Sequence, residues 1–136
     1  MRSYIWAEMA ERKARLEASI TLLRRSPPSL EQADAAVWLA AMLAEAPTPG
    51  VARVLIHSIV WQYIPAEGKR SIEVSMLRAA EAATKDSPLV WVSLETNRGT
   101  FKHELQVRFW DGESNQGEVS VLAEAQAHGN WIHWLR

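Results

Sequence analysis

The sequence predicts an α/β domain with three layers and a mixed sheet of about four strands, preceded by two helices. Residues 51–95 read as strand, helix, strand, with the length of a right-handed crossover between two parallel strands. Residues 104–126 instead alternate between apolar and polar side chains, as antiparallel strands with one solvent-facing side do. The chain has 136 residues, enough for one domain with a core of its own. We therefore expect a single domain over residues 1–136.

The two N-terminal helices are indicated by apolar spacing and by the residues at their ends. Residues 2–25 carry apolar side chains at intervals of three, four or seven residues, and two prolines follow this helix. Asp34 is expected to be the N-cap of a second helix that runs through Ala46. The side of this second helix that we expect to be buried carries Val37, Trp38, Ala41 and Met42.

The crossover unit begins with a nearly continuous apolar run over residues 51–59, which predicts a strand covered on both faces. Pro65 suits the first turn of a third helix, and residues 89–94 predict a second buried strand. The apolar positions of the third helix are Ile72, Met76, Ala79 or Ala80, and Ala83. No strand is predicted before residue 51, so the outer edge of the first strand is expected to invite pairing with another chain.

The last part of the sequence predicts an antiparallel hairpin. Its strands cover residues 105–109 and 119–125, and a long turn over residues 111–117 joins them. Two strand orders are compatible with this pattern: a simple meander, or insertion of the final strand beside the second.

The composition argues against several classes of function. Fifteen Lys and Arg oppose 16 Asp and Glu, so the formal net charge of −1 does not favour nucleic acid or a membrane as partner, and neither is predicted. The absence of cysteine excludes thiolate chemistry and favours a cytoplasmic location. His128 and His133 lack a third ligand and a metal-binding spacing. This pair therefore predicts no metal site. The six glycines form no nucleotide-binding fingerprint, and no cofactor is predicted.

Several stretches resemble an uncharacterised bacterial family known as domain of unknown function 2332. The most specific are HSIVWQY and the terminal HGNWIHW, alongside SYIWAEMAERKARLEASI, PPSLEQADAAVWLA, SPLVWVSLE and ELQVRFW. Members of that family are longer, so the resemblance implies that this chain is a truncated or stand-alone C-terminal half.

The second half of that family is similar in layout to the distal part of class I methyltransferase-like folds, which implies a partial Rossmann-like fold. VLIHSIVWQY would then line the ligand cleft. In such folds a glycine-rich loop binds the cofactor after the first strand. This chain has no such loop, so it is not expected to bind S-adenosylmethionine in the usual way.

The candidate ligand-binding residues follow the first predicted strand, because open α/β sheets bind ligands beyond the carboxyl ends of their strands. His57 would serve as a polar contact or proton-transfer group, or as a fully hydrogen-bonded histidine near the core, and Ser58 would contact ligand or cap the next turn. Trp61, Gln62 and Tyr63 would stack on a flat ligand or close the crossover beneath the third helix.

Glu95 ends the second strand, and Asn97, which follows it, completes the candidate list. Glu95 would form an acid and base pair with His57 across one crevice. The alternative is a solvated carboxylate followed by an Asn-Arg-Gly turn.

Two functions compete on these grounds. The first is a non-catalytic module that forms a homodimer through the edge of the strand at residues 51–58 and through the N-terminal helices. The second is a small-molecule binder or methyltransferase-like enzyme with its cleft at the end of that strand. The lack of a catalytic constellation favours the first.

Overall fold

The computed structural model of the chain describes residues 5–6, 8–127 and 129–135, which form two compact units, Met1–Gln32 and Ala33–Arg136. The first unit contains helix α1, Ala10–Arg25. The helix begins at residue 10 rather than at residue 2, and residues 1–4 and 7 lie outside the described part. None of the residues of α1 is buried.

The second unit contains a mixed five-stranded sheet in the order β1-β2-β3-β4-β5. β1 and β2 are parallel, and every later pair is antiparallel. The α/β class and the mixed sheet are confirmed, and the strand order is that of a simple meander. The fifth strand was not predicted because it is only three residues long. The strands are β1 Arg53–Ser58, β2 Leu89–Thr96, β3 His103–Trp110, β4 Ser120–Ala125 and β5 Ile132–Trp134.

Helix α3, Ala66–Ala80, fills the crossover between β1 and β2 after a short 3₁₀ turn at Trp61–Tyr63. Ile72, Met76 and Ala79 are buried on one side of α3, as the spacing predicts. They form the core together with three side chains from the sheet: Leu89, Trp91 and Trp110.

Helix α2, Ala35–Ala44, packs against α3 through a different side from the one predicted. Ala36 and Leu39 are the buried residues, whereas Val37, Trp38, Ala41 and Met42 are exposed. The prediction was wrong because every residue of this helix is apolar, so periodicity cannot identify its buried side. The N-cap prediction is confirmed, since the Asp34 carboxylate accepts hydrogen bonds from the backbone N–H groups of Ala36 and Val37.

The two faces of the sheet differ in their surroundings. The inner face carries Trp91 and packs against α3. β1 was expected to be covered on both faces, but Val54 is 55% exposed and Ile56 is 71% exposed, so this expectation was wrong. Strand alternation and register define the outer face. Its residues in β1, β2 and β3 are Val54, Ile56, Val90, Val92, Leu94, Leu105, Val107 and Phe109.

The polar side chains of β3 also lie on the opposite side from the one expected. Arg108 is paired with Trp91, and Gln106 is paired with Ser93, so both point to the inner face. The sequence pattern had predicted that these polar residues face solvent. They approach α3 instead, and the apolar residues between them form part of the outer face.

Candidate functional site

The candidate site lies where β1 and β2 end, the position at which parallel strands open towards ligands. β1 ends at Ser58, and the chain then reverses through Ile59, which has a positive φ of 50°. The 3₁₀ turn and the start of α3 follow at once. This sharp reversal places the turn above the end of β2.

His57 is held at both of its ring nitrogens. Its Nδ1 lies 2.8 Å from Oε1 of Glu95, and the indole Nε1 of Trp91 donates to its Nε2 at 2.9 Å. Because an indole N–H can only donate, Nε2 must accept, and the proton of the neutral ring is therefore on Nδ1. His57 has no nitrogen left for a ligand, and this geometry favours the interpretation of a hydrogen-bonded histidine near the core.

Glu95 also holds the turn that follows β1. Its Oε1 accepts hydrogen bonds from the backbone N–H groups of Val60 and Trp61, at 3.0 and 3.1 Å, in addition to the contact with His57. The side chain is only 18% exposed, so it is not the solvated carboxylate of the alternative interpretation. The two candidate acid and base residues therefore come together, as part of a network that shapes the backbone.

Trp61 completes an aromatic cluster with His57 and Trp91. Its ring stacks on His57 with centroids 5.1 Å apart and planes 17° apart. Trp91 meets Trp61 edge-on at 5.5 Å, and the ammonium of Lys69 lies 5.9 Å from the centre of the Trp61 ring. Trp61 is thus engaged by its own chain, which favours its role in closing the crossover.

The remaining candidates are more dispersed. Ser58 is on the outer face, because it alternates with His57, and Tyr63 is largely exposed. Asn97 forms a turn, accepting from the N–H of Gly99 and donating to Glu104. Gln62 lines a groove that is described below.

A cavity of about 200 Å³ with both polar and apolar walls lies beside this cluster, between α3 and the inner face of the sheet. We call it the inner cavity. Sequence reasoning missed six of its lining residues. One is Val119, which directly precedes β4. The other five come from the middle of elements rather than from strand ends, and two of them were assigned to a solvent-facing side. These five residues are Glu73, Trp91, Ser93, Gln106 and Arg108.

Arg108 supplies the positive charge of the inner cavity. Its Nη1 forms an ion pair with Glu73 of α3, and its Nε donates to the carbonyl of Gly117 at 2.8 Å. The guanidinium also lies over the rings of Trp91 and Trp110. Two carboxylates, Glu73 and Glu95, therefore share this cavity with one guanidinium.

A second space of about 520 Å³, the outer groove, adjoins the inner cavity. The two share Trp61 and Glu95 as walls. The outer groove adds two cations, Lys69 and Arg98, and an exposed aromatic side chain, Phe101. The charge thus changes from net negative to net positive across the shared wall.

Two kinds of feature are absent from the described residues. Among residues 5–6, 8–127 and 129–135, no three His, Asp or Glu side chains are grouped so as to hold a metal ion. His128 of the C-terminal histidine pair lies outside these ranges. No helix in the described part of the chain has the length and hydrophobicity needed to cross a membrane.

Comparison with known proteins identifies a family. Residues 1–134 match the model of a family described as uncharacterized protein conserved in bacteria, DUF2332. Neither a curated protein nor a solved structure matches the chain. The likeness to methyltransferase-like folds therefore stays a prediction.

Proposed function

The chain belongs to this uncharacterized family conserved in bacteria, and we propose that it is a non-catalytic module that associates with a second copy of itself through the free edge of β1. The observation that carries the proposal is an edge strand whose outward backbone N–H and C=O groups have no partner strand in the described part of the chain and whose exposed side chains, Val54 and Ile56, are apolar. We propose that the N-terminal helices also take part in the self-association.

The backbone of β1 has one paired and one unpaired side. The N–H of Arg53 donates to Pro88 and that of Ile59 to Leu94, so the odd-numbered residues point towards β2. Because successive backbone groups point in opposite directions, the N–H and C=O groups of Val54 and Ile56 point away from β2. In the described part of the chain, β1 pairs only with β2. These groups are thus available to another strand.

The edge also lacks the charges that usually discourage such pairing. Natural edge strands are commonly protected by a lysine, a proline or an inward-pointing charge. Arg53 is the one charged residue of β1, but its guanidinium donates to the carbonyl of Glu45 at 3.1 Å, beyond the end of α2. The exposed large apolar residues of β1 are Val54 and Ile56. Nothing on β1 therefore repels an incoming apolar strand.

The helices add exposed apolar surface. α2 presents Val37, Trp38 and Met42 away from the core. α1 has 16 residues and buries none of them, and an isolated helix of that length is only marginally stable in water. Association would stabilise both helices by removing apolar surface from solvent.

A symmetric pair satisfies these features most simply. Two β1 strands related by a twofold axis run antiparallel, so each supplies the backbone groups that the other lacks. The two five-stranded sheets would then join into one. A separately encoded strand-bearing partner is the alternative occupant of this edge.

The non-catalytic part of the proposal rests on His57. Both nitrogens of this residue are engaged by Glu95 and Trp91, so transfer of a proton to a substrate would first require one of these bonds to break. A methyltransferase-like enzyme with its cleft at this strand end remains the alternative. It predicts that S-adenosylmethionine releases measurable heat on mixing with the protein, whereas the proposal expects none.

Sedimentation velocity tests the self-association. We expect the wild-type chain to sediment as a dimer at micromolar concentration, and Ile56→Lys to sediment as a monomer of 15.3 kDa, because a lysine guards the edge. Val74→Lys, at an exposed position of α3, is the matched control and should remain dimeric. A monomeric wild type, or a dimer that persists in Ile56→Lys, would contradict the proposal. Circular dichroism would verify that each variant is folded.

A further inference from the structure

We infer that the inner cavity and the outer groove together form a binding site for a small phosphorylated sugar, with its hydroxyls in the inner cavity and its phosphate in the outer groove. This site is separate from the proposed interface at the β1 edge. The inference rests on the unused hydrogen-bonding groups of the cavity, on its size and on the change of charge across Trp61 and Glu95.

The inner cavity contains polar groups whose hydrogen-bonding capacity is not used. Ser93 is half-buried and forms no side-chain hydrogen bond within the described part of the chain. Gln106 donates from Nε2 to Glu104, which leaves its amide oxygen as an acceptor, and the hydrogen bonds of Glu95 all go to Oε1. Such atoms can bond to water or to a ligand that displaces the water. Hydroxyl groups suit this mixture because each one both donates and accepts.

The size and charge of the inner cavity define the part of the ligand that enters it. A volume of about 200 Å³ corresponds to about seven water molecules in the liquid, which suits a ligand portion smaller than a drug molecule. Glu73 and Glu95 contribute two negative charges against the one positive charge of Arg108. An anionic group is therefore disfavoured here, and a neutral, hydroxylated portion is favoured.

The outer groove has the opposite charge. Lys69 and Arg98 form no ion pair with the described residues, and these two cations outnumber Glu95, the carboxylate in the shared wall. Lys69 is the fourth residue of α3, so the partial positive charge at the N-terminus of that helix adds to its own. An ammonium and a guanidinium at one groove provide charged donors for the oxygens of a phosphate.

The shared walls make the two spaces one site. Trp61 and Glu95 border both of them, so a hydroxylated group in the inner cavity lies next to the cations of the outer groove. A free sugar would leave the cations unused, and a free phosphate would leave Ser93 and Gln106 without partners. A phosphate ester of a sugar uses both sets of groups.

Titration calorimetry with three probes tests this inference: D-ribose phosphorylated on its primary hydroxyl, D-ribose and inorganic phosphate. We expect the phosphorylated sugar to bind at least about tenfold more tightly than either of the others, a difference of about 1.4 kcal/mol. Absence of binding by the phosphorylated sugar, or equal binding by ribose or by phosphate alone, would overturn it.

Two variants assign the two halves of the site. Lys69→Gln should reduce the affinity for the phosphorylated sugar about tenfold by removing a phosphate contact, and Gln106→Leu should reduce it similarly by removing a hydroxyl contact. Lys85→Gln, an exposed lysine paired with Glu113, is the control and should bind as the wild type does. Unfolding curves in urea would show that the variants are folded. Wild-type affinity in both Lys69→Gln and Gln106→Leu would overturn the assignment.

Discussion

Arg108 connects three parts of the second unit through one side chain. Its ion pair reaches Glu73 on α3, its Nε reaches the carbonyl of Gly117 in the β3–β4 loop, and its guanidinium lies 4.8 Å from the ring centre of Trp110. Arginine suits this position because its planar group can stack and donate several hydrogen bonds at once. An alternating strand pattern assigns such a residue to solvent, yet its side chain is only 19% exposed.

Glu95 has a comparable role at the other end of the sheet, and its removal should be costly. We expect Glu95→Ala to lower the free energy of unfolding by about 2–3 kcal/mol, because the N–H groups of Val60 and Trp61 and the Nδ1 of His57 lose their acceptor. Urea denaturation followed by tryptophan fluorescence measures this. Glu113→Ala, which removes an exposed ion pair with Lys85, should cost less than about 1 kcal/mol. Equal losses in the two variants would refute the structural role of Glu95.

Asp111 stabilises the loop between β3 and β4 through its ionised form. The backbone N–H and side-chain amide of Asn115, the N–H of Glu113 and the hydroxyl of Ser114 all donate to its carboxylate. The Asn115 N–H is the largest cause, and together these bonds hold the pKa of Asp111 well below its ordinary value of 3.8. The folded state therefore favours the charged carboxylate.

This lowered pKa predicts a particular dependence of stability on pH. The contribution of Asp111 is fully present above the pKa of the unfolded chain, near 3.8, and is lost as the pH falls below that value towards the folded-state pKa. We expect the difference in unfolding free energy between wild type and Asp111→Ala to be constant near neutral pH and to narrow in acid. Chemical denaturation over a pH series measures it. A difference in unfolding free energy that stays constant into strong acid would argue against the prediction.

At the scale of elements, two glycines with the same backbone conformation distinguish the cost of a left-handed backbone from the cost of steric overlap. Gly50 has a φ of 76° and Gly117 a φ of 80°, both in the left-handed region. A Cβ on Gly50 would meet nothing within 4 Å, whereas a Cβ on Gly117 would overlap the indole of Trp110. The two positions therefore form a matched pair.

The replacement of each glycine by alanine should show this difference. Gly50→Ala should cost about 1 kcal/mol, the penalty for a left-handed alanine. Gly117→Ala should cost at least about 2 kcal/mol more, because Trp110 is buried in the core and must shift. Urea unfolding midpoints of the two variants provide the measurement. Similar costs at both sites would show that Trp110 can move without loss of stability, which would contradict the prediction.

The elements were predictable where one local signal dominated. The apolar stripe of α3 and the capping of α2 by Asp34 followed from spacing and from side-chain chemistry. The buried side of α2 was not predictable, because its ten residues are all apolar. β5 was missed because three residues carry too little periodicity to indicate a strand.

The candidate site was predictable only in part. His57, Trp61 and Glu95 were found because they lie at or just after strand ends, a general position for ligand sites. Glu73 and Gln106 were not found, since they lie in the middle of α3 and β3 and reach the cavity only through packing. No short-range signal distinguishes a polar residue that lines a cavity from one that faces water.

At the scale of the whole molecule, the sheet carries polar residues on the side that α3 covers and apolar residues on the opposite side. The inner face carries Ser93, Gln106 and Arg108 beneath α3, and the outer face carries an apolar surface that includes Val54 and Ile56. Exposed apolar surface of this kind is typical of interfaces between chains. The free edge of β1 borders this surface, so the exposed side chains of Val54 and Ile56 belong to both.

Local patterns were enough to establish the α/β class, the parallel crossover, the unpaired edge of β1 and the N-cap of α2, because each depends on residues a few positions apart. Only the tertiary packing established which face of the sheet is covered by α3. α3 covers the face that carries Trp91 and Trp110, because these large rings bury more apolar area than the smaller side chains of the outer face. The polar neighbours of those rings on the same face consequently line a cavity, while Val54 and Ile56 remain open to another chain.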